Sequence, residues 1–99
     1  MITTKQRAYL RGLAAELVPV TQIGKNGIAD NLEKTLSDAL EAHELVKVTV
    51  LETAPLTAKE AMEALCASLR CDPVQVIGRK ITLYRRQPDA DKRKIELPK

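Results

Sequence analysis

Gly24-Lys25-Asn26-Gly27 sets a cation and a carboxamide between two glycines, in a chain that has only four glycines in all. A β-like run enters this stretch and an amphipathic helical pattern leaves it. Glycine tolerates positive φ and, lacking a side chain, lets backbone approach a ligand closely. A helix starting just beyond would add unpaired N–H groups and the positive end of its dipole. Together these suit an anion such as a phosphate, with Lys25 supplying a formal charge. The spacing is not the GxxxxGK[ST] of a nucleotide-hydrolysing P-loop, nor the GxGxxG of a dinucleotide site. The plainer alternative is a βα turn that needs two glycines for its geometry.

Other cations could extend such a site. Arg7 and Arg11 lie one helical turn apart, and Lys47 falls on the polar side of an alternating run. Arg79, Lys80, Arg85 and Arg86 cluster near the end of the chain's last apolar segment. Taken singly, each is an ordinary solvated residue. Taken together they are set against an acidic stretch, Asp30, Glu33, Asp38, Glu41 and Glu44, relieved only by Lys34. A net charge of +3 so segregated gives one basic and one acidic side, and the basic side could follow a nucleic-acid backbone.

Other chemistries lack their residues. With no Phe or Trp and only Tyr9 and Tyr84, the chain cannot build a broad base-stacking platform. Tyr84 reads better as a sheet residue packed beneath a helix. His43 has no serine or cysteine partner in a motif, and reads as a residue at a helix C-terminus. One histidine and no CxxC leave a zinc site without ligands, so no metal and no cofactor are expected. Cys66 and Cys71, five apart in a helical pattern, fall on different faces, so no bridge between them is expected. Free thiols point to a reducing, cytoplasmic setting. The sequence MITTKQRAYL lacks the apolar run of a signal peptide, and no long apolar stretch calls for a membrane. No catalytic constellation is visible, and the expectation is a protein that is not an enzyme.

The elements that must position these residues can be read from periodicity. Thr3 and Gln6 match a capping box, and Leu10, Leu13, Ala14, Leu17 and Val18 then recur at helical spacing up to Pro19, predicting a helix over 4–18. Gly12 falls on its solvent face. Val20 to Ile23 reads as a short strand. Ile28, Leu32, Leu36 and Leu40 predict a helix over 28–42. Val46, Val48 and Val50 alternate with Lys47 and Thr49, the pattern of a half-buried strand over 45–51. Thr57 and Glu60 form a second capping box ahead of Ala58, Ala61, Met62, Leu65 and Leu69, a helix ending near Arg70. Pro73 separates it from strands at 74–77 and 81–85, joined by Gly78-Arg79-Lys80, short enough for a tight hairpin. The order is α-β-α-β-α-β-β, an α/β (α+β) domain with one four-stranded mixed sheet packed with helices. It spans residues 1–86, and the polar QPDADKRKIELPK, residues 87–99, is expected to be a charged flexible tail.

With these residues laid out, the chain resembles the CRM domain family (chloroplast RNA splicing and ribosome maturation), and its bacterial stand-alone YhbY-type members above all. The resemblance rests on LRGLAAELVPVTQIGKNGI, AHELVKVTV and VQVIGRKITLYRR, in that order, and covers about residues 3–86. It implies a fold similar to the C-terminal domain of a bacterial translation initiation factor. It also implies RNA binding, to large-subunit ribosomal RNA or its precursor particle during ribosome assembly. The family's GxxG loop maps onto Gly24, Lys25, Asn26 and Gly27, and its final basic strand onto Leu83, Tyr84 and Arg85. The expected RNA-binding set is therefore Gly24, Lys25, Asn26, Gly27, Arg7, Arg11, Lys47, Arg79, Lys80, Arg85 and Arg86, on a monomer. A different reading makes the chain an adaptor that docks on a ribosomal protein through the acidic helix 28–42.

Overall fold

Two of the three helices begin on side chains that satisfy their first orphan amides. In the computed structural model, which describes residues 2–98, Thr3 Oγ1 accepts from Gln6 N at 3.1 Å while Gln6 Oε1 accepts from Thr3 N at 2.9 Å. This capping box opens α1, Thr4–Ala14. Thr57 and Glu60 make the same reciprocal pair, at 3.1 and 2.8 Å, to open α3, Ala58–Leu69. The remaining helix, α2, runs Asp30–His43 from an Ala29 N-cap that offers no side-chain acceptor.

Four strands, β1 Thr21–Ile23, β2 Leu45–Val50, β3 Asp72–Ile77 and β4 Lys80–Tyr84, form one mixed sheet in the order β1-β2-β4-β3. β1 lies parallel to β2 (Thr21 beside Val48, Ile23 beside Val50), with α2 as the crossover. The other pairings are antiparallel. β3 and β4 meet through the two-residue loop Gly78-Arg79, where Gly78 takes φ +57°. That positive φ in the first loop position suits the twist of a tight hairpin. Pro73, expected ahead of this strand, lies inside it. β3 is a sheet edge and shifts register between Pro73 and Gln75, so the missing N–H is tolerated.

Alternation divides the sheet into two faces. Ile23, Val46, Val48, Val50, Ile81 and Leu83 face α2 and α3, where Leu36, Leu40, Ala61 and Leu65 close the main core. Leu45, Val74 and Tyr84 face α1 and form a smaller core with Leu10 and Ala14. Three layers result, and the three-helix, four-stranded order read from the sequence is the one observed.

Three local expectations are corrected. α1 ends at Ala14 rather than Val18. Glu16 N and Leu17 N donate to carbonyls only three residues back, so the chain tightens, then leaves toward β1, where Val20 N donates to Lys47 O. Leu13, Leu17 and Val18, assigned to the buried stripe, are therefore exposed, Val18 at 78%. The segment after β4 packs back on the domain. Gln87 N donates to Glu44 Oε2 at 3.1 Å, while Lys94 N and Ile95 N donate to Glu44 Oε1 at 2.6 and 3.0 Å. Ile95 and Leu97 then cover the smaller core, and Gln6 Nε2 reaches Pro98 O. The charged residues of 87–98 thus form a strap around a buried carboxylate. Met1 and Lys99, the ends of the expected domain and tail, lie outside the described residues. Finally, Cys66 and Cys71 do not point apart: their sulfurs are 3.7 Å from each other, because the helix stops at Leu69 and Arg70 turns the chain back.

Candidate nucleic-acid interface

The sheet presents its two ends very differently. At one end, where β1 and β2 finish and β4 begins, Gly24 to Gly27 form a turn. Gly27 N donates to Gly24 O at 2.9 Å, leaving Lys25 and Asn26 as the exposed central pair. The amides of Lys25 and Asn26 have no partner among the described residues. Gly27 sits at φ +66° with Pro55 Cγ only 3.2 Å from where a Cβ would be, so glycine is required there twice over. Gly24 has ordinary space, its nearest neighbour Leu51 Cδ1 at 3.8 Å from a built Cβ. The β2–α3 linker backs the turn, with Leu51 N donating to Ile23 O at 2.9 Å. A shallow polar cleft of about 420 Å³ runs beside it, lined in part by Thr21, Gln22, Asn31 and Thr35.

The helix does not follow the turn directly. Ile28 and Ala29 intervene, because Ala29 is extended (φ −94°, ψ 164°) and Ile28 packs against the main core. The first turn of α2 also carries Asp30 and Glu33, which already complement the dipole. The helix start therefore lies apart from the turn, and the groups at this end without an internal partner among the described residues are the Lys25 and Asn26 amides and the Lys25 side chain. The Gly27 amide closes the turn and is not available.

The face of the sheet that α1 leaves open carries Lys47, Gln75, Thr82, Ile77 and Lys80, and Arg11 borders it from the helix. Arg11, Lys25, Lys47 and Lys80 have no side-chain hydrogen bond or ion pair among the described residues. Arg79, on the hairpin, lies 3.4 Å from Glu52 with both side chains largely exposed, an ion pair worth little. Arg11, Lys47 and Lys80 thus line one pocket on the open sheet face, while Lys25 lines the separate cleft beside the turn and Arg79 sits on the hairpin.

The other expected cations lie elsewhere. Arg7 donates from Nε to Pro73 O at 3.1 Å, which fixes it on the β3 edge. Arg85, expected to contact RNA, points to the opposite face. Its Nη1 donates to Leu69 O at 3.1 Å, and its Nη2 to Ser37 O and Oγ at 2.8 and 3.1 Å, with Glu41 at 3.6 Å. It braces α2 against the end of α3. Arg86 borders the cleft under the strap with Arg93 and Lys94. Tyr84, buried beneath α1, has its phenol pushed up by burial and then by the Glu44 carboxylate, so it stays neutral and is no stacking platform.

Glu44 is the residue that sequence reasoning missed. It caps α2 at φ +65°, 1% exposed, its carbonyl accepting from Arg85 N at 2.8 Å and its carboxylate accepting three strap amides. The only signal in the sequence was a glutamate inside an otherwise apolar entry to a strand. Among the described residues no group of three or more His, Cys, Asp or Glu could hold a metal ion. No described helix is long and apolar enough to cross a membrane.

A family model described as the CRS1 / YhbY (CRM) domain matches residues 2–85. The chain is similar to "Probable RNA-binding protein YqeI" of Bacillus subtilis, with 42% identity over 98 residues that cover 99% of this chain and 100% of that one. It is also similar to "RNA-binding protein" of Haemophilus influenzae, 36% identical over 98 residues, covering 99% and 96% respectively. Among solved structures it is similar to that of the hypothetical protein SAV1595 from Staphylococcus aureus. The TM-score is 0.78 and the identity 42%, over 99% of this chain and 100% of that one.

Proposed function

We propose that this chain, which belongs to the CRS1 / YhbY (CRM) domain family, is a non-enzymatic RNA-binding protein of the cytoplasm. Its partner is large-subunit ribosomal RNA or the precursor particle, met during ribosome assembly. The Gly24–Gly27 turn holds one backbone phosphate between Lys25 and the outward amides of Lys25 and Asn26. Lys80, Lys47 and Arg11 extend the track across the open sheet face, with Arg79 at its rim and Arg7 at its far edge.

The observation that carries this reading is that Arg11, Lys25, Lys47 and Lys80 have no internal partner among the described residues. A cation with nothing to hold inside the fold is available to a phosphate, and such contacts release counterions. Similarity over full length to proteins named for RNA binding supports the same partner. Arg85 leaves the ligand set, since its guanidinium is occupied. Docking on a protein through α2 has less support, because Glu33 accepts from Ser68 Oγ at 2.7 Å and Glu41 faces Arg85.

The test is fluorescence anisotropy with a structured large-subunit ribosomal RNA fragment at several salt concentrations. Affinity should fall steeply with salt, and Lys25→Asp with Asn26→Asp should lower it at least tenfold, about 1.4 kcal/mol, with the melting temperature unchanged. Equal binding by both proteins would remove the turn from the interface.

A further inference from the structure

We propose that Cys66 and Cys71 are a reversible redox pair, closing an intrachain disulfide when a small hydroperoxide oxidises Cys66. The pair is created by the end of α3. Arg70 adopts the left-handed conformation (φ 55°, ψ 49°), so Cys71 N donates to Cys66 O at 3.2 Å and the two sulfurs come within 3.7 Å. Closing a disulfide requires about 2.05 Å between the sulfurs, a shift that rotation of two short side chains can supply. Cys66 is partly exposed and can meet a solute, whereas Cys71 is buried.

The two thiols also divide the labour that oxidation needs. The Cys71 S–H donates to Cys66 Sγ, with Leu65 O as a second acceptor at 3.7 Å. That bond holds the Cys66 thiol below its ordinary value of 9.0 and, together with burial, pushes Cys71 up. Cys66 is thus the thiolate former and Cys71 the proton keeper.

The step balances as follows. Cys66 thiolate attacks one oxygen of the hydroperoxide, breaking the O–O bond and leaving a sulfenic acid on Cys66. With hydrogen peroxide the departing group is hydroxide, which takes up the proton that Cys66 released. Cys71 sulfur then attacks Cys66 sulfur, forming the S–S bond and breaking S–OH. The hydroxide leaves with the Cys71 proton as water. Two thiols lose two electrons, and one peroxide becomes two waters.

The experiment treats the full chain with hydrogen peroxide and follows intact mass, free thiols and a non-reducing peptide map, with free cysteine as a parallel control. The expected result is loss of two hydrogens and of both thiols together, a Cys66–Cys71 linked peptide, and full reversal by dithiothreitol. Cys71→Ser should instead accumulate a sulfenic acid on Cys66 that dimedone traps. The wild-type result decides the matter even if that variant folds poorly. Oxygen addition to Cys66 with Cys71 still a free thiol would overturn the proposal. So would covalent dimers through Cys66, or an unchanged protein while the control is consumed.

Discussion

The two ends of the sheet carry similar charge and use it in opposite ways. At the Gly24–Gly27 end, Lys25, Lys80 and, further in, Lys47 and Arg11 have no side-chain partner among the described residues. At the Glu44 end, Arg85 is bonded to two helices and Arg93 donates from Nε to Gln87 O at 2.7 Å. Arg79, Lys80, Arg85 and Arg93 look equivalent in a sequence. The fold separates them into cations that hold the protein together and cations left for something else.

That contrast can be broken most severely at Glu44. Glu44→Ala would leave the Gln87, Lys94 and Ile95 amides without their acceptor, and should cost about 3 kcal/mol or more in urea unfolding. Hydrogen exchange at Lys94 and Ile95 should accelerate strongly in that variant, since the strap has lost its anchor. Unchanged exchange would mean that the strap is held by Ile95 and Leu97 alone.

Arg85→Ala comes next, with a loss of about 2 kcal/mol from its three hydrogen bonds and the Glu41 contact. Its RNA affinity should be unchanged under conditions where it remains folded. Arg79→Ala should show the reverse pattern, a melting temperature within error of the parent and a several-fold weaker complex. If the two variants behaved alike, the division between the two ends would fail.

Within the turn, Gly27→Ala should destabilise by about 1–2 kcal/mol, because a left-handed residue is strained and its Cβ would press on Pro55. Gly24→Ala should be close to neutral, and the pair can be compared by thermal melts. The smallest effect belongs to Glu60, an exposed residue in the first turn of α3. Its bonds from the Thr57 backbone and then the Thr57 side chain hold its carboxyl below the ordinary 4.5. A carboxylate depressed on folding contributes stability above its unfolded value, and that contribution fades as pH falls through the folded one. Glu60→Gln should flatten stability against pH only in that acid range.

How much of this was legible depended on how local the determinant was. Both capping boxes were readable because Thr3–Gln6 and Thr57–Glu60 are three residues apart. The hairpin was readable because Gly78 sits where a tight loop needs positive φ. The start of α2 was missed because Ile28 fits a helical period and packs on the main core, yet precedes the extended N-cap Ala29. The roles of Glu44 and Arg85 were not readable, since their partners lie up to 51 residues away and only the folded chain brings them near. The cysteine contact was hidden by a single left-handed residue, Arg70, a conformation that its side-chain type does not announce. The cation positions were visible in the sequence, but their availability was not.

The central claim is that RNA meets the unengaged cations and not the engaged ones. The most direct measurement is a two-dimensional amide NMR titration of the ¹⁵N-labelled chain with a large-subunit ribosomal RNA fragment. The account predicts shift changes concentrated at Lys25, Asn26, Lys47, Arg79 and Lys80, with Glu44, Arg85 and Arg93 little affected. Changes centred on Arg85, Arg86 and Arg93, with the Gly24–Gly27 turn silent, would contradict it.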